Sequence, residues 1–125
     1  MSQRILYIDD EADIREIAQM ALELDPDFTV RTCGSGREGI AVARDWSPAF
    51  ILLDVMMPEL DGPAVLGLLR DDLATSAIPV VFITARTQQQ EVAQLRALGA
   101  CGVIAKPFDP MTLAGQVRSF LDERD

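Results

Sequence analysis

The sequence predicts an α/β protein: a single domain over residues 1–125, built on a doubly wound, five-stranded parallel sheet with five helices. Short apolar runs alternate with amphipathic segments five times along the chain, which is the pattern of repeated strand–helix units. Most of the apolar runs lack polar alternation, as in strands covered on both faces. A chain of 125 residues is also long enough to bury one core.

Five runs are predicted as strands. In chain order they are RILYI (4–8), FTVRT (28–32), FILL (50–53), VVFI (80–83) and GVIA (102–105). Four of them are nearly all apolar, which favours burial on both faces of a sheet. FTVRT instead alternates between apolar and polar side chains, which is typical of an edge strand.

The segments between these strands predict helices. Apolar side chains recur at helical spacing over residues 14–22 and again over residues 113–121. Capping residues agree with this assignment. They are Ser35 and Thr87 in capping boxes, Asp61 and Asp109 as N-caps close to a proline, and Gly99 as the stop of the helix that Thr87 opens.

The composition argues against several classes of function. The formal net charge of −9 argues against direct nucleic-acid binding by this domain, because such binding needs a positive surface. No run approaches the roughly 18 apolar residues of a membrane span, and the N-terminal segment lacks a signal-peptide core, so a cytoplasmic protein without membrane contact is predicted. Cys33 and Cys101 fit no metal motif and are interpreted as free buried thiols. The absence of histidine excludes histidine-based acid–base catalysis.

Polar and charged residues follow four of the predicted strands. They are Asp9, Asp10 and Glu11 after the first strand, Asp54 after the third, Thr84 after the fourth and Lys106 after the fifth. In a parallel sheet these positions share the carboxyl edge, where open α/β sheets bind ligands. Lys106 is also the only lysine in the chain, since every other basic residue is an arginine.

The acids predict the order of the strands. If Asp9, Asp10 and Asp54 share one site, the first strand lies beside the third. The second strand then lies outside the first, at an edge, as its alternating pattern independently indicates. The predicted order is therefore 2-1-3-4-5, a flavodoxin-like arrangement with its switch point between the first and third strands.

Three carboxylates at one place favour a cation. Two unit charges about 4 Å apart repel by about 4 kcal/mol at an effective dielectric constant of about 20. Mg2+ prefers oxygen ligands and often shares its coordination shell with phosphate oxygens. Asp54 is then a candidate nucleophile that forms an aspartyl-phosphate, with Thr84 and Lys106 as donors to the phosphoryl oxygens.

Each of these residues, taken alone, also has a structural explanation. Asp9 or Asp10 could cap the first helix, and one of them is expected to do so. Asp54 could cap a turn, Thr84 could bond the backbone, and Lys106 could be a solvated strand end. Their joint order on successive strand ends favours the functional interpretation.

Four ordered motifs resemble the response-regulator receiver domain of two-component signalling, in a chemotaxis-regulator-like form. They are the acidic pair in YIDDE, the segment LLDVMMPELDG, the segment FITA and the segment KPF. Together they extend over nearly the whole chain. The resemblance implies that Asp54 is phosphorylated, that Asp10, Asp54 and the backbone carbonyl of Met56 bind Mg2+ directly, and that Asp9 contributes through water.

The same resemblance implies a signalling phosphoacceptor rather than a turnover enzyme. A histidine kinase or phosphotransfer protein donates the phosphoryl group, and the chain catalyses its own phosphorylation and its later hydrolysis. Thr84 acts as the switch hydroxyl and Lys106 as the phosphate partner, and the Lys106–Pro107 bond is commonly cis. Phosphorylation then shifts the face formed by the fourth helix, fifth strand and fifth helix toward an output partner.

Three positions deserve comparison with the family pattern. Val103 stands three residues before Lys106, where the family often has an aromatic residue that rotates during the switch. Either other contacts transmit the signal, or the conformational response is muted. Arg86 and Met56 stand where the family varies to set the rate of phosphoryl hydrolysis.

Two other functions are weighed against this one. An aspartate-nucleophile phosphatase of the haloacid dehalogenase type would place its nucleophile on the first strand in an Asp-x-Asp pattern, whereas the acids of YIDDE are adjacent. A receiver that only binds partners, without phosphate, would explain Val103 but not the complete set of reactive residues. The sequence leaves open whether the chain is a stand-alone regulator or a part of a longer protein.

Overall fold

Five strands alternate with five helices in the computed structural model, which describes residues 2–123. Each predicted strand is present, with bounds that differ from the prediction by one residue or none. The strands are β1 (Gln3–Ile8), β2 (Phe28–Cys33), β3 (Phe50–Asp54), β4 (Val80–Thr84) and β5 (Gly102–Ala105). The helices are α1 (Ala12–Leu22), α2 (Gly36–Trp46), α3 (Gly62–Asp71), α4 (Gln89–Ala97) and α5 (Leu113–Glu123).

The strands form one parallel sheet in the order β2-β1-β3-β4-β5, which confirms the predicted topology. Ile8 pairs with Leu53, so β1 and β3 end side by side at the carboxyl edge. Thr84 pairs with Ala105, so β4 and β5 end at that edge as well. The prediction that β2 is an edge strand is also correct, and Thr29 and Arg31 on it are exposed.

The sheet is covered on both faces, which explains its continuous apolar strands. On one face, α1 and α5 bury a cluster that includes Tyr7, Phe50 and Leu52. On the other face, α2 and α3 bury a cluster that includes Leu6, Leu53 and Phe82 in the sheet. These layers fix the strand ends, and the residues that follow each strand are placed by a rigid support.

Several predicted helix ends are confirmed. The Ser35 hydroxyl accepts a hydrogen bond from the Glu38 backbone N–H at 3.2 Å, and the Asp61 carboxylate accepts one from the Ala64 N–H at 2.9 Å. Gly99 lies beyond the end of α4 with a φ of +111°, a left-handed conformation that glycine adopts without a steric penalty.

Three predicted caps are wrong. Thr87 does not open α4, because the helix starts at Gln89 with Gln88 at the N-cap and no side-chain capping bond. Neither Asp9 nor Asp10 caps α1, since the N-cap residue is Glu11. Asp109 accepts a bond from the Met111 N–H at 2.9 Å, in a turn that precedes α5 rather than in the helix itself.

Residues 2–123 contain no helix with the length and apolar character needed to cross a membrane.

Candidate functional site

The carboxyl edge of the sheet brings the predicted site residues together. Carboxylate oxygens of Asp9, Asp10, Glu11 and Asp54 lie within 4.8 Å of one another. The first three follow β1 and the fourth ends β3, and these two strands are neighbours in the sheet. The strand order therefore produces the acidic cluster directly.

Asp9 is the fixed member of this cluster. Its side chain is fully buried. Its Oδ2 accepts a hydrogen bond from the Tyr7 hydroxyl at 2.8 Å, and its Oδ1 accepts one from the Glu11 backbone N–H at 3.0 Å. The Arg15 guanidinium donates to the Asp9 carbonyl at 2.8 Å. Asp9 is thus held in one orientation from both neighbouring elements.

Lys106 connects three of the acids across the sheet edge. Its Nζ lies 3.0 Å from Asp9 Oδ2, 3.0 Å from Glu11 Oε1 and 3.4 Å from Asp54 Oδ2. Burial alone would lower the pKa of Lys106, but its hydrogen bonds to Glu11 and Asp9 raise that pKa above the usual lysine value. The side chain is therefore an ammonium ion at neutral pH, with its charge directed at the acidic cluster.

Asp54 is buried and carries an unfavourable charge. It ends β3, and only 5% of its surface is exposed. Desolvation by burial and repulsion from Asp9 raise the pKa of Asp54 to about 6, although Lys106 acts in the opposite direction. Any additional positive charge in the site would therefore stabilise the Asp54 carboxylate.

The donor set fits a hard divalent cation such as Mg2+. All the candidate ligands are carboxylate oxygens, and two of the four carboxylates are buried where like charges repel most strongly. Asp10 is exposed, and within residues 2–123 its carboxylate has no protein partner, so its oxygens are available to a cation. The Met56 carbonyl stays a prediction as a ligand.

Thr84 faces the same cavity as Asp54. Its hydroxyl accepts a hydrogen bond from the Arg86 backbone N–H at 3.0 Å, and its side chain is nearly fully buried. The open cavity at this edge has a volume of about 390 Å³, which is large enough to admit a phosphoryl group. It is lined by Glu11, Asp54, Met56, Thr84, Ala85, Arg86, Lys106 and Pro107.

The strand end that carries Lys106 is not fully exposed. The Lys106–Pro107 peptide bond is cis. Val103 pairs with Phe82 in the sheet and packs, partly buried, against the cluster under α2 and α3. The position where the resemblance implies a rotating aromatic ring is thus filled by a short aliphatic side chain in the core.

Sequence reasoning missed the roles of two residues. Glu11 was counted among the strand-end acids but received no function, and it contacts Lys106 directly. Tyr7 enters the sequence analysis only as part of the predicted strand RILYI, and its hydroxyl orients Asp9. Burial and the neighbouring Asp9 raise the pKa of Tyr7 far above its usual value, so it remains a hydrogen-bond donor.

Comparison with known families identifies the class of protein. Residues 5–118 match the response regulator receiver domain. This match includes nearly the whole sheet and all the residues of the acidic edge. The chain therefore belongs to the response regulator receiver family of two-component systems, a family of signalling proteins.

Individual relatives agree with this assignment. The chain is 37% identical over 117 residues to the response regulator Rre1 of Synechocystis, covering 94% of this chain and 51% of that protein. It is 35% identical over 125 residues to the DNA-binding response regulator MtrA of Mycobacterium tuberculosis, covering 100% of this chain and 53% of that protein. The chain thus spans about half the length of these curated relatives.

Solved structures show the same fold. The chemotaxis response regulator CheY4 of Vibrio cholerae superimposes with a TM-score of 0.88 at 28% identity, over 96% of this chain and 99% of that one. A response regulator from Desulfuromonas acetoxidans gives a TM-score of 0.85 at 27% identity, over 97% and 98% of the two chains.

Proposed function

We propose that this receiver accepts a phosphoryl group on Asp54 in a Mg2+-dependent reaction and so controls a downstream partner. The observation that carries the proposal is the position of Asp54, a buried carboxylate beside Asp9 with the Lys106 ammonium 3.4 Å away. An acid in this position contributes little to the stability of the fold, because burial and repulsion disfavour its charge. The same position suits a nucleophile, because a bound cation and a phosphate partner would stand next to it.

The chemistry requires positioning more than proton transfer. A carboxylate oxygen of Asp54 attacks phosphorus, the bond from phosphorus to the donor breaks, and its electron pair leaves with the donor group. Bound at Asp9, Asp10, Asp54 and the Met56 carbonyl, Mg2+ would neutralise charge on the phosphoryl oxygens. Lys106 and the Thr84 hydroxyl donate hydrogen bonds to those oxygens. Hydrolysis later returns Asp54 to a free carboxylate: water attacks phosphorus, the bond from phosphorus to the Asp54 oxygen breaks, and inorganic phosphate leaves.

The response of the fold begins at Thr84. Its oxygen accepts a hydrogen bond from the Arg86 N–H at 3.0 Å, which leaves the hydroxyl proton available for donation to a charged phosphoryl oxygen. Movement of Thr84 toward Asp54 then shifts the population of packings on the face formed by α4, β5 and α5. With Val103 in place of an aromatic ring, either other contacts transmit this response or the response is muted.

The donor of the phosphoryl group is a histidine kinase or a phosphotransfer protein, in the cytoplasm. The output partner contacts the face formed by α4, β5 and α5, either as a separate protein or as a further part of the same protein. Direct nucleic-acid binding by this domain is disfavoured by its net charge of −9. DNA binding belongs to the longer relative MtrA as a whole.

Phosphorylation is tested by incubating the chain with acetyl phosphate, with and without Mg2+, and measuring intact mass. We expect the mass to increase by one phosphoryl group, only when Mg2+ is present. The added mass should be lost in hydroxylamine, because an acyl phosphate is reactive toward nucleophiles. No gain in mass under any Mg2+ concentration would contradict the proposed function.

Lys106→Arg should fold normally but accept phosphoryl groups more slowly. The Lys106 Nζ is a compact charge enclosed by three carboxylates within 3.4 Å, and a planar guanidinium is too wide to occupy the same place. We expect the rate of phosphorylation by acetyl phosphate to fall by about 10- to 100-fold, since a small misplacement has effects of that size. Arg37→Lys on the exposed surface of α2 is the matched control. Equal rates in Lys106→Arg and wild type would contradict the assigned role.

Arg86→Ala should shorten the lifetime of the phosphorylated form. Arg86 lines the cavity beside Asp54, and its side chain is exposed. Within residues 2–123 its backbone N–H bonds Thr84, whereas its guanidinium makes no hydrogen bond or ion pair. A guanidinium over the phosphoryl group would restrict the approach of water, so its removal should speed hydrolysis several-fold. The measurement is loss of the phosphoryl group after the donor is removed, with Arg96→Ala on α4 as the control. An unchanged rate would refute this role for Arg86.

A further inference from the structure

Lys106 contacts one carboxylate that has no part in the function proposed above. Its Nζ lies 3.0 Å from Asp9 Oδ2, 3.0 Å from Glu11 Oε1 and 3.4 Å from Asp54 Oδ2. An ammonium group has three N–H donors, and these three acceptors engage all of them. Lys106 must therefore release one carboxylate before it can bind a phosphoryl oxygen.

Asp9 is unsuited to be the released partner. It is fully buried, and its two oxygens are already fixed by the Tyr7 hydroxyl and the Glu11 backbone N–H. Withdrawing Lys106 from this carboxylate would leave a buried charge with less compensation, which is costly. Release of Asp54 would move the ammonium away from the carboxylate at which the phosphoryl group is added.

Glu11 is the carboxylate that can separate from Lys106 at the lowest cost. Its side chain is 55% exposed, compared with 0% for Asp9 and 6% for Asp54. Glu11 occupies the N-cap of α1 but makes no side-chain capping bond, so no helix contact restrains the carboxylate. Once separated from Lys106, it can turn into water without leaving a buried polar group unpaired.

We propose that Glu11 is a positioning residue that binds Lys106 in the unphosphorylated protein and so competes with the phosphoryl group for its ammonium. Phosphorylation exchanges the Lys106–Glu11 ion pair for a contact between Lys106 and the phosphoryl group. An ion pair that exists only in the unphosphorylated form stabilises that form, and it lowers the apparent affinity of the site for a phosphoryl group. This inference rests on the proposed function, to which it adds a residue that sets the balance between the two states.

The test measures binding of beryllofluoride, a non-covalent mimic of the phosphoryl group, by calorimetry at saturating Mg2+. The variants are Glu11→Gln, which removes the charge, and Glu11→Asp, which keeps the charge but shortens the reach to Lys106. We expect both to bind about 2- to 5-fold more tightly than wild type, the range for a partly exposed ion pair. Asp13→Asn, an exposed acid in the first turn of α1, should bind as wild type does.

Three outcomes would overturn the proposal. If neither Glu11 variant differs from wild type, the ion pair does not bias the site. If Glu11→Gln binds more tightly while Glu11→Asp matches wild type, the effect comes from charge alone and not from contact with Lys106. If Glu11→Gln binds more weakly, Glu11 serves the cation and does not restrain the lysine.

A second readout needs neither metal nor phosphate. Lys106 is the only lysine in the chain, so its rate of acylation by an amine-reactive reagent can be followed in EDTA by peptide mass spectrometry. We expect faster acylation of Lys106 in both Glu11 variants, since each weakens the contact between residue 11 and the ammonium. Unchanged acylation rates would also overturn the proposal. If wild type fails to bind beryllofluoride, the proposed function fails, whereas these rates still decide whether Glu11 restrains Lys106.

Discussion

Asp54→Asn will take up no phosphoryl group from acetyl phosphate and Mg2+, although the variant will fold as wild type does. Asparagine has nearly the shape of aspartate, but its amide is a poor nucleophile, and it removes one anionic ligand from the acidic cluster. The measurement is intact mass after incubation with the donor. Asp45→Asn, at an exposed position on α2, is the matched control and should be phosphorylated as wild type is.

The same variant should be at least as stable as wild type without metal. Burial and repulsion from Asp9 raise the pKa of Asp54 to about 6, so ionisation of this carboxyl costs more in the folded chain than in the unfolded one. Removing that charge also removes the contact with Lys106, and the net effect should be a rise of about 1–2 kcal/mol in the free energy of unfolding in EDTA. Urea unfolding in EDTA measures this difference.

These two readouts separate the role of Asp54 from an effect on folding. A stable variant that remains unphosphorylated supports Asp54 as the acceptor. A stable variant that still gains a phosphoryl group would place the acceptor elsewhere and contradict the proposal. A variant clearly less stable than wild type would contradict the interpretation of Asp54 as a strained, buried charge.

The arrangement of the site could be predicted because it follows from topology. Parallel strands end at one edge, and the apolar runs show where each strand ends. Asp54, Thr84 and Lys106 are each the last residue of a strand or the next residue after one. Their sequence positions alone were therefore sufficient to place them around a common cavity.

The contacts of Tyr7 and Glu11 required other information. Side chains two residues apart on a strand point to the same face, so alternation was a signal that Tyr7 lies beneath Asp9. Glu11 follows the strand, in the connection to α1, and its direction depends on backbone geometry that periodicity does not describe. Only the structure places its carboxylate 3.0 Å from Lys106.

Helix starts were predictable only where packing supports them. The capping pattern at Ser35 was correct, and α2 buries Gly36, Gly39 and Ala43. A similar pattern at Thr87 was wrong, and α4 has no buried residue in the described chain. Without a buried face, a helix start is set by weak local preferences, which a capping pattern alone does not resolve.

Gly62→Ala should destabilise the fold and slow phosphorylation. Gly62 begins α3, and its N–H donates to the Val55 carbonyl at 2.8 Å, which closes the loop after Asp54. An added Cβ would lie 2.6 Å from the Asp54 carbonyl oxygen and 2.9 Å from the Val55 Cα. Both are backbone atoms, so the chain around the acceptor must move. We expect a loss of about 1–3 kcal/mol in the free energy of unfolding, the usual range for overpacking.

Gly67→Ala in the same helix should have the opposite effect. Gly67 is exposed in the interior of α3, and an added Cβ would meet no atom within 4 Å. Alanine should therefore stabilise the helix by about 1 kcal/mol through its higher helix propensity. Urea unfolding of both variants and their rates of phosphorylation complete the test. If the close approach of α3 to the acceptor strand fixes the position of Asp54, the two substitutions should change the free energy of unfolding in opposite directions. Only Gly62→Ala should then slow phosphorylation. Equal effects of the two would show that the loop after Asp54 tolerates a side chain, and that α3 does not fix the acceptor's position.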